Sequence, residues 1–522
     1  MIERRHPPST IAALGLLLCA SVLHAGTVID LASEGAPSIH GTSAEEQFGY
    51  CTAVGDLDGD GGAELVVGAP GLADSAGTAH TGAVFVFRLS ALDTLSAETY
   101  AATLAEWTIT GSGARGRFGS AVAIADFDGD GFDDLAVSAP VAGDESGIAR
   151  GEVSVYFGGP GGSWSHGRNA APDVVLTGSL PGARLGYSML ARDIDDDGPT
   201  ELLLSEPGGG GTKGARPGVV YVVRGETLRS LSGTATVSDV AAASVSGESA
   251  DDALAGLAVA DTDGDGVLEL VLGAPQADGP RANLPDVGKL YIVPVHEVLE
   301  GQPASLSLTG TSALSGLTDR GFLGRSLSVG DIDFDGIDDL LVSAYASRAH
   351  RKKVEATGEV FVLFGNRYGE GGELESVATR ASTLDDPAVP RFHGRSRSDL
   401  FGLPVLLADL NRDGPVDIIA ASQYADGPDD KRNACGEVYI YWGSVRSVIV
   451  AKAGGTELAD VTVVGESPED SIGESLLVVE ISEGEPPALI IGAPNAPGAA
   501  EDGAPIQRRG KLILLPGESL LR

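Results

Sequence analysis

Cysteine, histidine and basic residues are scarce in this chain, and each shortage excludes something. Of three cysteines, Cys19 falls in the N-terminal apolar stretch. Cys51 and Cys435 belong to distant copies of a repeat, so they are expected to be unpaired small core residues. The eight histidines are scattered, and no H-E-x-x-H, G-x-S-x-G or phosphate loop is present, so the common zinc, serine and nucleotide chemistries lack their motifs. Lysine and arginine number 35 against 74 acids, a formal charge of -39. That balance argues against nucleic acid, whose phosphates demand basic surface. No N-x-[ST] sequon occurs. One long apolar run, Ile11 to Leu23, follows Arg4 and Arg5 and is too short to span a bilayer. Its layout is that of a secretory signal peptide over residues 1–25, cleaved after Ala25. Leu18 stands where a lipoprotein signal wants a small residue, so cleavage is favoured over a lipid anchor at Cys19. The mature protein, 26–522, is expected to be secreted or periplasmic and without a transmembrane segment.

What the chain has in quantity is one acidic loop. Asp56-Leu57-Asp58-Gly59-Asp60-Gly61-Gly62-Ala63-Glu64 returns at 126–134, 193–201, 261–269, 331–339 and 409–417, and in degenerate form at 480–488. Successive starts lie 70, 67, 68, 70, 78 and 71 residues apart, a period that signals one repeat array instead of separate domains. Carboxylates stand at positions 1, 3, 5 and 9: Asp56, Asp58, Asp60 and Glu64; Asp126, Asp128, Asp130 and Asp134; Asp193, Asp195, Asp197 and Glu201. The next sets are Asp261, Asp263, Asp265 and Glu269; Asp331, Asp333, Asp335 and Asp339; and Asp409, Asn411, Asp413 and Asp417. Position 6 is always glycine, where the chain must turn sharply to aim its oxygens inward. Hard oxygen donors without histidine or cysteine select calcium over zinc or copper. About six structural Ca²⁺ sites are expected, with affinities of about 10⁻⁴–10⁻³ M as in extracellular modules. The degenerate loop offers only Glu480, Ser482, Gly484 and Ala488 and is expected to bind nothing.

Short strands surround each loop. In the second repeat, Val122–Ala125 enters it and Leu135–Val137 leaves, stopping at Ser138-Ala139-Pro140 because proline cannot donate to a ladder. An alternating stretch from Gly151 to Gly158 and another at Val174 complete four strands. Third strands recur after Gly82, Gly151, Gly218, Gly288, Gly358, Gly436 and Gly510. Fourth strands are expected around Thr108, Val174, Val245, Leu306, Phe392 and Val461, one fewer. The missing one is Pro37-Ser38-Ile39-His40-Gly41 at the front, whose Gly41 precedes Phe48 by seven residues, as Gly111 precedes Phe118 and Gly178 precedes Leu185. An N-terminal strand that completes the last sheet closes a ring. The expected fold is all-β: a seven-bladed β-propeller of four-stranded blades, without helices. An open stack of repeats would leave the displaced strand unexplained.

The motifs resemble the FG-GAP repeat of the integrin α-subunit propeller. Phe48-Gly49 lies eight residues before Asp56, and Gly68-Ala69-Pro70 follows the loop. The pair returns as Phe118-Gly119 with Ser138-Ala139-Pro140 and Ile472-Gly473 with Gly492-Ala493-Pro494, and in part as Leu185-Gly186, Leu323-Gly324 and Phe401-Gly402. The fourth repeat departs with Ala253-Leu254, the fifth and sixth with Ser343-Ala344-Tyr345 and Ala421-Ser422-Gln423. The resemblance implies an isolated, secreted propeller of the bacterial type, with calcium loops on one face and ligands on the other. On that second face falls a basic cluster: Arg348, His350, Arg351, Lys352 and Lys353, with Arg320, Arg325, Arg395 and Arg397 on neighbouring loops. It is a candidate for an extracellular protein or an anionic polysaccharide. The function expected is a cell-surface, adhesion or protein-interaction module without catalysis. A lectin, or a glycoside hydrolase or polysaccharide lyase, is the alternative.

Overall fold

The computed structural model describes residues 26–521 apart from 74–76, 78–79, 96–97, 114, 144–147, 161, 163, 166–169, 211–215, 281–283, 301–304, 349–355, 366–383, 387–388, 429, 446–448, 451, 483 and 500–504. The expected leader, 1–25, lies outside the described residues.

Seven antiparallel sheets stand in a ring. The second blade is typical: Val122–Ala125, Asp134–Ala139, Glu152–Tyr156 and Val174–Thr177 pair in sequence order. Each second strand is buried along its full length, because both faces of a blade are covered. Side chains alternate across a strand, so one strand feeds two cores. Leu65 and Val67 point toward the seventh blade, while Val66 points toward the second. Seven hydrophobic clusters result, one between each pair of adjacent blades. The cluster joining the seventh blade to the first contains Ile39, Phe48, Leu65, Ile490 and Leu512; the ring is closed.

Closure is made by the N-terminal strand Ser38–His40, antiparallel to Lys511–Leu515, with Ile39 opposite Leu512. Two expectations on the fourth blade are corrected. Its fourth strand is the two-residue Leu314–Ser315. The Leu306 segment, Ser305–Ser307, instead runs parallel to Ser246 and its neighbours as a fifth strand on the third blade. Leu254-Ala255, not Ala253-Leu254, occupies the Phe-Gly position, with Leu254 fully buried. In the first blade the amides of Gly49 and Tyr50 both donate to Gly68, a bulge that holds Gly49 at φ 89°. Glycine suits that left-handed position. The fourth blade has one residue fewer there and pairs regularly from Gly256, so it needs no glycine.

Short helices also appear where none were expected. In the first, third, fourth and seventh blades the third strand leads into Leu89–Thr94, Gly225–Ser230, Val295–Leu299 and Gly517–Leu520. The same connections supply a parallel fifth strand to the preceding blade: Glu98–Tyr100, Gly233–Thr236, Ser305–Ser307 and, for the seventh, Thr27–Asp30. Cys51 and Cys435 are unpaired.

Candidate metal loops and the opposite face

The six complete loops share one backbone scaffold. The position-6 amide donates to the position-1 carboxylate: Gly61 to Asp56 at 3.0 Å, Gly131 to Asp126 at 2.9 Å and Gly198 to Asp193 at 3.3 Å. Gly266, Gly336 and Gly414 do the same to Asp261, Asp331 and Asp409 at 3.0, 2.8 and 3.0 Å. These glycines hold φ between 84° and 110°. A Cβ at Gly61 would touch nothing, so left-handed backbone, not crowding, selects glycine. Position 4 is left-handed too, filled by Gly59, Gly129 and Gly264 but also by Asp196, Phe334 and Arg412. Its varied residue types hid that requirement in the sequence.

Five of these loops bring three carboxylates together, with ligand oxygens within 4.8 Å of one another. They are Asp56, Asp58 and Glu64; Asp126, Asp128 and Asp134; Asp193, Asp195 and Asp197; Asp261, Asp263 and Asp265; and Asp331, Asp333 and Asp339. The sixth keeps the scaffold, but Asn411 replaces one acid and donates to Asp413 at 3.1 Å.

The ninth-position acids start the second strands and are buried. Each accepts the position-2 amide of its loop, for example Phe127 on Asp134 at 2.8 Å and Leu410 on Asp417 at 2.8 Å. Burial, reinforced by the neighbouring loop carboxylates, pushes Glu64, Asp134, Glu201, Glu269 and Asp339 up to about 7 and Asp417 to about 6. The three aspartates engage their second oxygen as well, taking amides of Gly158, Gly365 and Gly443, each at 2.7 Å. In the third loop, Glu201 Oε1 and Asp195 Oδ1 are buried without a hydrogen-bond partner. Leaving such oxygens unsatisfied is costly, and a cation in the loop would satisfy them.

The first loop holds an internal cation. Arg88 lies 2.6 Å from Asp60, 3.0 Å from Asp58 and 3.8 Å from Glu64, while its Nε donates to Glu106 at 2.7 Å. Arg224 reaches Asp195 of the third loop at 3.3 Å. In the degenerate loop, Glu480 meets Arg412 of the preceding loop at 2.7 Å. The donor set therefore fits a hard cation. Positions 1, 3, 5 and 9 would hold calcium, whose charge would screen the clustered carboxylates and fasten the hairpin to its blade.

On the opposite face, the loops between second and third strands and between blades surround a cavity of about 410 Å³. Arg184, Arg216 and Arg325 line it with Tyr187, Phe322 and Tyr345. The Arg325 guanidinium sits 4.6 Å over the Tyr187 ring, and Phe322 stacks on Tyr345 at 5.4 Å. Five residues of the expected basic group lie within the described residues. Arg325 turns into the cavity. Arg348 lies 3.5 Å from Asp319, and Arg395 lies 3.4 Å from Asp430 and 3.6 Å from Glu437. Arg320 donates its backbone amide to Pro285, and Arg397 is exposed. His350, Arg351, Lys352 and Lys353 lie outside the described residues. Sequence reasoning missed Arg184 and Arg216. Arg184 was visible in one respect: it precedes Leu185-Gly186, as Arg117 precedes Phe118-Gly119 and Phe322 precedes Leu323-Gly324.

A closed ring of seven blades with acidic hairpins on one face defines a class, the β-propellers with an acidic loop in each blade repeat. The FG-GAP repeat model matches residues 48–87, 118–156, 253–293 and 323–363, and the chain is an integrin-alpha-like FG-GAP β-propeller. It is 36% identical over 171 residues to the phosphatidylinositol-glycan-specific phospholipase D of Bos taurus, covering 32% of this chain and 20% of that protein. The mouse phospholipase of that name is 28% identical over 422 residues, 76% of this chain and 46% of its own length. Human integrin alpha-IIb is 34% identical over 189 residues, 35% of this chain and 16% of that one. The chain thus spans less than half the length of these relatives. The unmatched third, sixth and seventh blades fold as the matched ones do.

Proposed function

We propose that the protein is a calcium-stabilised binding module that works outside the cytoplasm and recognises an acidic partner with the face opposite its metal loops. The observation that carries the reading is the cavity in which Arg184, Arg216 and Arg325 stand among Tyr187, Phe322 and Tyr345. On a chain of net charge -39, a cavity lined by three guanidinium groups against one carboxylate, Asp251, attracts anions, and arginine recognises carboxylate and phosphate by paired hydrogen bonds. Aromatic rings beside them add rigid apolar contact area. The leader-like segment 1–25 directs the module to the periplasm or the exterior. Six calcium ions serve as structural clamps in the loops from Asp56, Asp126, Asp193, Asp261, Asp331 and Asp409. Arg320, Arg348, Arg395 and Arg397 border the same face as an outer rim.

The preferred partner is an extracellular protein with an acidic surface, engaged in adhesion. A second reading, an anionic glycan, is favoured by the aromatic lining and by relatives whose name specifies a phosphatidylinositol-glycan. We read the module as non-catalytic, with glycoside hydrolysis or polysaccharide lysis as the alternative. The test is capture of acidic envelope proteins and polysaccharides by residues 26–522, with calcium and with chelator, beside Arg184→Glu and Arg325→Glu variants. Capture by the parent and loss in both folded variants is expected. Equal capture by all three would remove the cavity from consideration, and release of glycan fragments would turn the reading to catalysis.

A further inference from the structure

The residue that faces the ninth-position ligand across the blade differs from loop to loop. Strand register sets Glu64 opposite Arg88 and Glu269 opposite Pro294. The same register, one pair beyond Leu202 and Val223, sets Glu201 opposite Arg224. In the second, fifth and sixth blades the place is taken by Phe157, Phe364 and Trp442. Arginine therefore stands at this point in the first and third blades alone, and in both it bonds to the acidic loop of its own blade. The first contact is the fuller: one guanidinium bridges Asp58 and Asp60, approaches Glu64 and is tethered through Nε to Glu106. Arg224 makes a single contact of 3.3 Å, and in both blades the Oε1 of the ninth-position glutamate, Glu64 or Glu201, is without a hydrogen bond.

We infer that Arg88 is a built-in counter-cation of the first loop that competes with calcium for Asp58, Asp60 and Glu64, so that this loop is partly neutralised without metal and fills last. The inference rests on the calcium reading above. Arg88 approaches Asp58 Oδ2, Asp60 Oδ2 and Glu64 Oε1, and a Ca²⁺ ion drawn to the same oxygens repels the guanidinium and competes for their lone pairs. Calcium entry must displace the side chain, and Glu106 offers it a place to remain paired once displaced. The loops then form a graded series. The second and fourth have no arginine at this position and fill first. The third, with its one contact, is intermediate, and the first is last. Such grading lets the ring stay clamped at low calcium by some loops and by arginine at the first.

The test counts calcium bound to residues 26–522 by equilibrium dialysis and calorimetry, comparing the parent with Arg88→Gln, Asp58→Asn and the double variant. Arg88→Gln keeps the apolar stem and removes the charge. It is expected to tighten one site by at least about tenfold, about 1.4 kcal/mol. Asp58→Asn is expected to remove no tightly held ion from the parent but to abolish the gain in the Arg88→Gln background. An Arg88→Gln isotherm that overlays the parent, or a tight ion lost from the parent on Asp58→Asn, would overturn the inference. If Arg88→Gln does not fold, Pro294→Arg places an arginine at the same point of the fourth blade. Weakening of one tight site supports the inference, and an unchanged isotherm contradicts it. Absence of bound calcium from every loop would instead defeat the calcium reading itself.

Discussion

The first, third and fourth blades and the second, fifth and sixth carry the same acidic loop but anchor it in two ways. In the first group the ninth ligand is glutamate, and the third strand runs on into a helix whose connection clasps the preceding blade. In the second group the ligand is aspartate, which is one methylene shorter. An aromatic residue faces it, and the glycine after that residue donates its amide to the second carboxylate oxygen. Side-chain length, facing residue and connection type change together. The loop's outer end is held by the position-6 amide on the position-1 carboxylate. Its inner end is set by whichever device fills the space between the second and third strands. The seventh blade belongs with the first group in its connection, Pro516 and the helix Gly517–Leu520, although its loop keeps only Glu480 of the four acids at positions 1, 3, 5 and 9. Anchor and ligand set are therefore separable.

The largest effect is expected at the seam that the clasp-type blades close. Removing residues 26–41 takes away both the fourth strand of the seventh blade and the clasp on the sixth, and cooperative thermal melting should be lost. A truncated protein that melts as sharply as the parent would show that the clasp is dispensable. Next, the facing position should be structural in one group and tolerant in the other. Phe364→Ala is expected to cost about 3–5 kcal/mol in denaturant unfolding, whereas Pro294→Ala should change stability by less than about 1 kcal/mol. Equal costs would erase the distinction.

The seam also carries a pH dependence. His40, in the closing strand, contacts Arg509 at 2.5 Å and Ser38 at 2.9 Å. Burial, helped by the positive charges of Arg509 and Lys511, depresses it to about 4. The unfolded chain takes up a proton near pH 6.5 while the folded one does not, so stability present above pH 6.5 is lost as pH falls toward 4. Up to about 3 kcal/mol is at stake. Melting temperatures of His40→Gln should be flatter than the parent's between pH 6.5 and 4; parallel profiles would clear His40 of the role. The smallest effect belongs to single loops. Asp130→Ala in the second loop should forfeit about 1.4 kcal/mol at calcium ten times the dissociation constant and almost nothing in chelator. A loss of equal size in chelator would assign the acid to the hairpin and not to the ion.

Much of this was legible in the sequence. Seven repeats, six loops and the displaced strand followed from spacing, because a propeller repeats its backbone and so its punctuation. Even the two corrections in the fourth blade lay within reach. Gly247 precedes Leu254, and Gly316 precedes Leu323, by the same seven residues that mark Gly41 and Gly111. That spacing locates Leu254 as the buried anchor and Leu314–Ser315 as the fourth strand. The clasps were hidden for a physical reason. Glu98–Tyr100 and Gly233–Thr236 are solvent-facing edge strands, held by backbone pairing and carrying no apolar alternation to read. The facing arginines were hidden because their partners come from a different strand, and only register brings Arg88 to Glu64.

The closing strand also governs how the molecule is made. Arg509 meets His40 across 469 residues of chain, close to the largest sequence separation this protein allows. Contacts so distant are formed late, because the entropy of bringing the ends together is spent before they reward it. On the ribosome, Ser38–His40 emerges before the six blades that separate it from its partner, and Lys511–Leu515 after them. The first six blades can assemble as an open arc while two sheet edges stand bare. That interval is when the chain is most open to pairing with a neighbour, and it ends when Lys511–Leu515 pairs with Ser38–His40.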